Sequence, residues 1–288
     1  MIGTAACRGA VTIVNAIATG KGAAFGITLE ADASVELIPG AGELTYQGER
    51  EGRDITLGCL RAMATKIGAD APSGKVSVRS EIPISRGLKS SSAVSNAVVL
   101  AAARALAKDI PDLDIINLAV DESIKAGVTI TGAFDDACAC YLGGAVVTDN
   151  RARSILSQQR LDPELVVILH VPERRITKAS LKGRDFRGIK DTVSQALRLA
   201  EKGKLLEAME LNSKAYASAL DLSEEAAVIA RANGALAAGV TGTGPATAVV
   251  CRRGECANIK KALSRLEGTI MDARINDTNA REVVPRLL

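Results

Sequence analysis

The chain has 288 residues, 47% hydrophobic, 24% charged and 2% aromatic, with no Trp and a net charge of +3. This bounds it to a soluble globular chain of one large or two modest domains. The small net charge argues against an acidic polymer as partner, and so few aromatics argue against a base-stacking platform for nucleic acid. The first residues lack a basic stretch followed by an apolar core, and no apolar run approaches bilayer-spanning length. The expectation is a cytoplasmic protein without membrane contact.

Residues 10–18 read as a strand, Thr19-Gly20-Lys21-Gly22 as a turn and 23–38 as a second strand. Lys21 is either an exposed turn lysine or a cation beside a polar pocket with Asn15 and Thr19. Residues 39–52, rich in Gly and Glu, read as a surface loop or hairpin. Residues 54–67 carry a helical apolar pattern stopped by Gly68.

An alternating run at 76–82 then leads into Pro83-Ile84-Ser85-Arg86-Gly87-Leu88-Lys89-Ser90-Ser91-Ser92-Ala93. An Ala-rich stretch to 108 follows, with no Gly or Pro after the serines, so the order is strand, small-residue turn, helix. The helix is apolar nearly all round, which predicts burial. Its first turn offers unpartnered N–H groups and the positive end of the dipole. Gly87 permits close backbone approach, the serines add hydroxyls, and Arg86 and Lys89 add charge. The alternatives are an ordinary N-capped helix and an anion site, for which phosphate is the natural occupant.

Residues 112–126 form a third helix closed by Gly127, with Glu122 on the border between its inner and outer faces. That carboxylate is either half-solvated or aimed into a cleft. Next comes Thr131-Gly132-Ala133-Phe134-Asp135-Asp136-Ala137, followed by apolar residues and Gly143-Gly144. Asp135 is either a helix cap or a functional acid. The register changes near residue 155, and 161–171 reads as a new strand with the single histidine, His170, inside it; a Ser-His-Asp triad is therefore not expected.

A basic segment, 173–190, includes Arg174, Arg175, Lys178, Lys182, Arg184, Arg187 and Lys190. It is a solvated face or a lid over an anionic substrate. Helices follow at 188–202, 204–220 and 223–237. Then Gly239-Val240-Thr241-Gly242-Thr243-Gly244-Pro245 turns into a strand. It lacks the Lys-Ser/Thr of a P-loop and precedes a strand instead of opening a helix, so it is no dinucleotide fingerprint. A helix at 256–266 and a strand at 269–275 close the pattern. The six cysteines form no Cys-x-x-Cys pair and read as small apolar residues.

Three of these segments, in their order along the chain, resemble the motifs of the GHMP kinases, the family of galactose, homoserine, mevalonate and phosphomevalonate kinases. Pro-x-x-x-Gly-Leu-x-Ser-Ser-x-Ala at 83–93 resembles the central phosphate-binding motif. Gly-x-x-Asp-x-Ala followed by Gly-Gly at 132–144 resembles the segment with the catalytic Asp, and 239–247 resembles the third, glycine-loop motif. The Gly-Leu-Lys-Ser-Ser-Ser form, with Lys89 where the family usually has Gly, resembles the archaeal shikimate kinase branch.

The resemblance implies an α+β fold of two domains, here 1–155 and a ferredoxin-like 156–288, with the nucleotide site in the crevice between them. It implies ATP and Mg²⁺, no nucleic acid partner, and shikimate as acceptor, in aromatic amino acid biosynthesis. Homoserine, mevalonate and a non-catalytic binding role are the alternatives. By the motif positions, residues 83–93 with Gly242 and Gly244 would hold the nucleotide, and Ser91 and Glu122 the metal. Asp135 would be the base, with Asp136 in reserve, and Asn15 and Thr241 would meet the substrate. The lysine some members place beside the Asp is missing from its usual position, so Lys21 or Arg8 would substitute.

Overall fold

The computed structural model describes residues 1–38, 42–68, 73–176, 181 and 183–286. Strands β1 (Ile2–Val14) and β2 (Lys21–Ile38) form a long antiparallel pair. β1 begins well before residue 10, where the alternation reading started it. Ala5, Ala6 and Cys7 are all buried, so this stretch shows no inside–outside alternation to read. Residues 15–18, read as strand, turn instead, and Gly20 N donates to Ala16 O at 2.7 Å.

β2 carries β1 on one side. On its other side its far half pairs with β4 (Ser73–Ser80) and its near end with β5 (Ala145–Asp149). β3 (Leu44–Gln47) lies parallel to β4, inside the stretch expected as a loop or hairpin, of which 39–41 fall outside the described residues. β6 (Ser154–Gln159) completes a six-stranded sheet. The break expected at 155 therefore falls within a strand.

Helix α1 (Arg53–Lys66), α2 (Ser90–Ala105), α3 (Asp112–Lys125) and α4 (Phe134–Leu142) cover this sheet. α2 lies against β1 and β2, flanked by the other three. Every residue from Ser92 to Ala103 is buried. The alanines explain this: a Cβ on Gly3 of β1 would collide with the backbone of Ala101 and Ala105, an approach that larger side chains would prevent.

The second sheet has the order β10-β7-β9-β8 and is antiparallel throughout. Its strands are β7 (Leu165–Val171), β8 (Ala237–Val240), β9 (Thr247–Arg252) and β10 (Thr269–Arg274). Helices α5 (Lys190–Glu201), α6 (Leu205–Leu220), α7 (Glu225–Ala232) and α8 (Cys256–Leu263) accompany it. α7 and α8 close a small core around Ile168, Val249, Ile259 and Leu263. The opposite face, with Val167, Leu169 and Val250, joins the large core that also holds the first sheet.

After β10 the chain returns to the first sheet. Ile275 bridges Ile27, Asn276 exchanges backbone hydrogen bonds with Gly26 and Gly144, and Ala280 N donates to Tyr141 O. Arg286 Nε ends 3.0 Å from Glu30, a fully buried acid on β2. All six cysteines are free thiols, and no helix among the described residues is long and apolar enough to cross a membrane.

Candidate active site

The turn ahead of α2 takes an unusual backbone. Ser85, Gly87 and Lys89 all have positive φ (57°, 84° and 67°), which turns successive N–H groups inward as an anion-binding concavity. α2 starts with no side-chain cap, so its first N–H groups are left for a ligand. This arrangement opens onto a cavity of about 380 Å³. Pro83, Ile84, Ser85, Gly87, Leu88, Lys89 and the three serines, Ser90, Ser91 and Ser92, line it, as does Gly242.

Three of the residues expected there stand back. Arg86 points away and donates to Glu173 O, Ala93 is sealed in the core beneath, and Gly244 packs against Leu222. The far wall was not found from sequence. It comes from the 39–52 stretch and its surroundings: Tyr46, Glu49, Glu51, Ile55 and Val78. Their only sequence signal was one tyrosine in a polar loop.

The glycine turn at 239–244 is pressed onto the loop ahead of α2. Thr241 Oγ1 donates to Gly87 O at 3.0 Å and accepts from Thr12 N at 3.0 Å. A Cβ on Gly87 would collide with Thr241 O, and one on Gly242 would come within 2.9 Å of Lys89 Nζ. Asn15 Nδ2 donates to Gly242 O at 2.9 Å, and its Oδ1 accepts from Ile17 N. Asn15 and Thr241, expected to meet the substrate, are thus beside the site but committed to holding the loops together.

Lys89 ties the three motifs. Its side chain is 7% exposed; Nζ donates to Thr12 Oγ1 at 2.6 Å and lies 3.0 Å from Asp136 Oδ1. Thr12 Oγ1 also accepts from Gly242 N at 2.9 Å. Lys21, by contrast, lies 4.0 Å from Asp149 and does not line the acid cleft. Successive side chains on a strand take opposite faces, and it is the neighbouring Gly22 that faces Asp135. Arg8 is engaged with Glu30 and Asn276. The cation beside the acid pair is therefore Lys89, and neither Lys21 nor Arg8.

Asp135 sits inside the first turn of α4, 3% exposed, and caps nothing. Its carboxylate accepts from Asn150 Nδ2 at 2.7 Å. Burial, and next the charge of Asp136, push its pKa up to about 7, with Lys89 and Asn150 opposing. A cleft of about 30 Å³, roughly one water's share, separates Asp135 and Asp136 from Thr12, Asn15 and Thr131.

Glu122 is not brought to Ser91. Its carboxylate lies in a groove between α1 and α3, 2.5 Å from Lys125 Nζ, in the space left by Gly58, where a Cβ would come within 2.6 Å of it. Its neighbour Ser123 takes the cavity-facing position. Of the two expected metal ligands, Ser91 lines the cavity ahead of α2 and Glu122 lines a separate groove. No cluster of three or more His, Cys, Asp or Glu able to hold a metal occurs among the described residues.

The family description "GHMP kinases N terminal domain" matches residues 54–144. The chain is 39% identical to the shikimate kinase of Methanothrix thermoacetophila, over 98% of this chain and 96% of that one. It is 38% identical to the shikimate kinase of Methanosarcina acetivorans, over 96% and 95%. Among solved structures, homoserine kinase from Cytophaga hutchinsonii superposes with a TM-score of 0.76 at 13% identity, over 96% of each chain. L. major mevalonate kinase does so with 0.74 at 17%, also over 96% of each. At such identities these two establish the fold alone. The chain belongs to the GHMP kinase family. Within that family its similar relatives include the archaeal shikimate kinases.

Proposed function

We propose that the protein is a shikimate kinase, which transfers the γ-phosphoryl group of ATP to the 3-hydroxyl of shikimate. The observation that carries the chemistry is the acid pair, Asp135 and Asp136, set beside Lys89 at the junction of the three loops. The acceptor follows from the full-length likeness to shikimate kinases.

Phosphoryl transfer asks for positioning and charge neutralisation more than for covalent chemistry. The N–H groups at the head of α2 and the three serine hydroxyls would cradle the phosphates, and the wall at Tyr46, Ile55 and Val78 would take the base. Ser91 would hold Mg²⁺ together with the nucleotide's own oxygens. Bound there, the ion would neutralise phosphate charge. Asp135 orients the acceptor hydroxyl and accepts its proton as the bond to phosphorus forms and the bond to ADP breaks. Lys89, 3.0 Å from Asp136, offsets the negative charge that gathers at the acid pair.

The cleft at Asp135 is one end of a larger opening. That cleft shares Lys89, Ala133, Asp136 and Gly242 with the larger cavity, from which the acceptor would reach Asp135. On this reading the two-domain division is one of sheets: the strands up to Gln159 carry the cradle and the base, and those from Leu165 carry the glycine loop.

The test is ADP release with shikimate, homoserine and mevalonate as acceptors, alongside ATP binding. Shikimate-dependent release with ATP is the expected result. A preference for another acceptor would overturn the substrate assignment. Intact ATP binding with no turnover on any acceptor would move the protein to a binding role.

A further inference from the structure

Asn150 stands in the turn after β5, 5% exposed, and its side chain has no freedom. Its Oδ1 accepts from Thr148 Oγ1 at 2.7 Å and from the backbone N–H of Asp135 at 3.2 Å. Its Nδ2 donates to Asp135 Oδ1 at 2.7 Å and reaches Thr131 Oγ1 at 3.4 Å. The amide cannot be reversed: that would set an oxygen against the carboxylate and an NH₂ against a backbone N–H. The backbone of Asn150 is held too, with its N–H donating to Gly20 O at 2.9 Å. On the other side, Asp135 Oδ2 lies over Gly22, where a Cβ would overlap it. The carboxylate is boxed between an amide and a residue without a side chain.

We infer that Asn150 is a positioning residue for the phosphoryl transfer, a clamp that selects which oxygen of Asp135 meets the acceptor hydroxyl and favours the ionised carboxylate. The inference rests on Asp135 being the base. Nothing in the sequence pointed to it: a lone Asn beside a strand end is ordinary turn chemistry.

The electrostatics agree with the geometry. Burial and the charge of Asp136 raise the pKa of Asp135; Lys89 and the Asn150 amide lower it, leaving it at about 7. Tyr216 from α6 and Cys138 from α4 also feel its charge, but burial pushes both of their pKa values up, so they stay neutral. A hydrogen bond donated to the charged form favours that form. Without it the base would hold its proton to a higher pH, and less of it could accept another near neutrality.

The experiment is the pH profile of kcat/KM for Asn150→Ala and Asn150→Asp, with Asp135→Asn as control and thermal denaturation of each. In Asn150→Ala the acid limb should move up by about one pH unit, so that activity falls about tenfold near neutrality and partly recovers at alkaline pH. Asn150→Asp keeps the shape and can still accept from Thr148 and Asp135 N, but sets a carboxylate against a carboxylate; its limb should move further. The KM for ATP should hold in both. Folded variants with an unmoved limb would overturn the clamp while leaving the base in place. Near-normal turnover by Asp135→Asn would instead remove the base itself, whatever Asn150 does.

Discussion

Asp135 is held in the fold against its own charge. Its pKa stands at about 7 against an ordinary value of 3.8. Below about pH 4 both native and unfolded chains are protonated there and the group contributes nothing. Between pH 4 and 7 the unfolded chain releases its proton while the native chain keeps it, so stability falls as pH rises; above 7 the full penalty stands. Asp135→Asn should therefore lose about 10²–10⁴-fold in turnover yet gain roughly 2–4 kcal/mol at pH 8. The gain should vanish by pH 4, which chemical denaturation at the two pH values would check. Lys89 is the second residue to test. Lys89→Met removes a buried cation from the acid pair and should cost about 10²-fold or more, whereas Lys21→Met should leave steady-state kinetics near wild type. Both lysines were visible in the sequence, one in the loop and one in the turn. What the sequence could not display is that Thr12, Lys89 and Asp136 converge. Glu122 misled for a related reason: a border position on a helix does not say which neighbour it faces, and Gly58 of α1 made the room.

At the scale of elements, the loop before α2 and the glycine turn before β9 act as one body. Gly87 and Gly183 share a φ of 84°, but an added Cβ meets Thr241 O at the first and open space at the second. Gly87→Ala should lose both stability, by about 1–3 kcal/mol, and nucleotide affinity. Gly183→Ala should show only the backbone strain and keep its affinity, as calorimetric titration with a non-hydrolysable ATP analogue would reveal. The elements that sequence made legible were those with one strong period or an emphatic start. α2 was legible from its alanines and serines, and α3 in extent but not in facing: Leu113 and Ile124 are 47% and 49% exposed, while Glu122 is buried. β1 was not, because small residues buried on both sides erase alternation. The helix expected at 223–237 overran, since Gly234 ends α7 and the alanine-rich residues that follow suit β8 equally well.

At the scale of the whole molecule, the stretch from Ile275 to Arg286 matters beyond its length. It ties the end of β10 to the first sheet and supplies Arg286 to Glu30 at 3.0 Å and to Glu81 at 3.2 Å, while its backbone N–H donates to Asp32 Oδ2 at 2.7 Å. Removing one partner of a buried pair costs about 3–5 kcal/mol, and Arg286 is 55% exposed, so Arg286→Ala should cost about 2 kcal/mol. Among the described residues Glu30 would keep the more distant Arg8, at 3.7 Å. Urea unfolding should register the loss, with kcat unchanged. The same strap sets a timetable for synthesis. Asp32 and Arg286 are 254 positions apart, and at about 5–20 residues per second the acids of β2 emerge from the ribosome roughly 13–50 s before Arg286. Until then Glu30 has the more distant Arg8 in place of Arg286, so this end of β2 is held less firmly than in the released protein. Nascent chains stalled short of residue 286 should be cut by protease across residues 28–32, where the released protein resists.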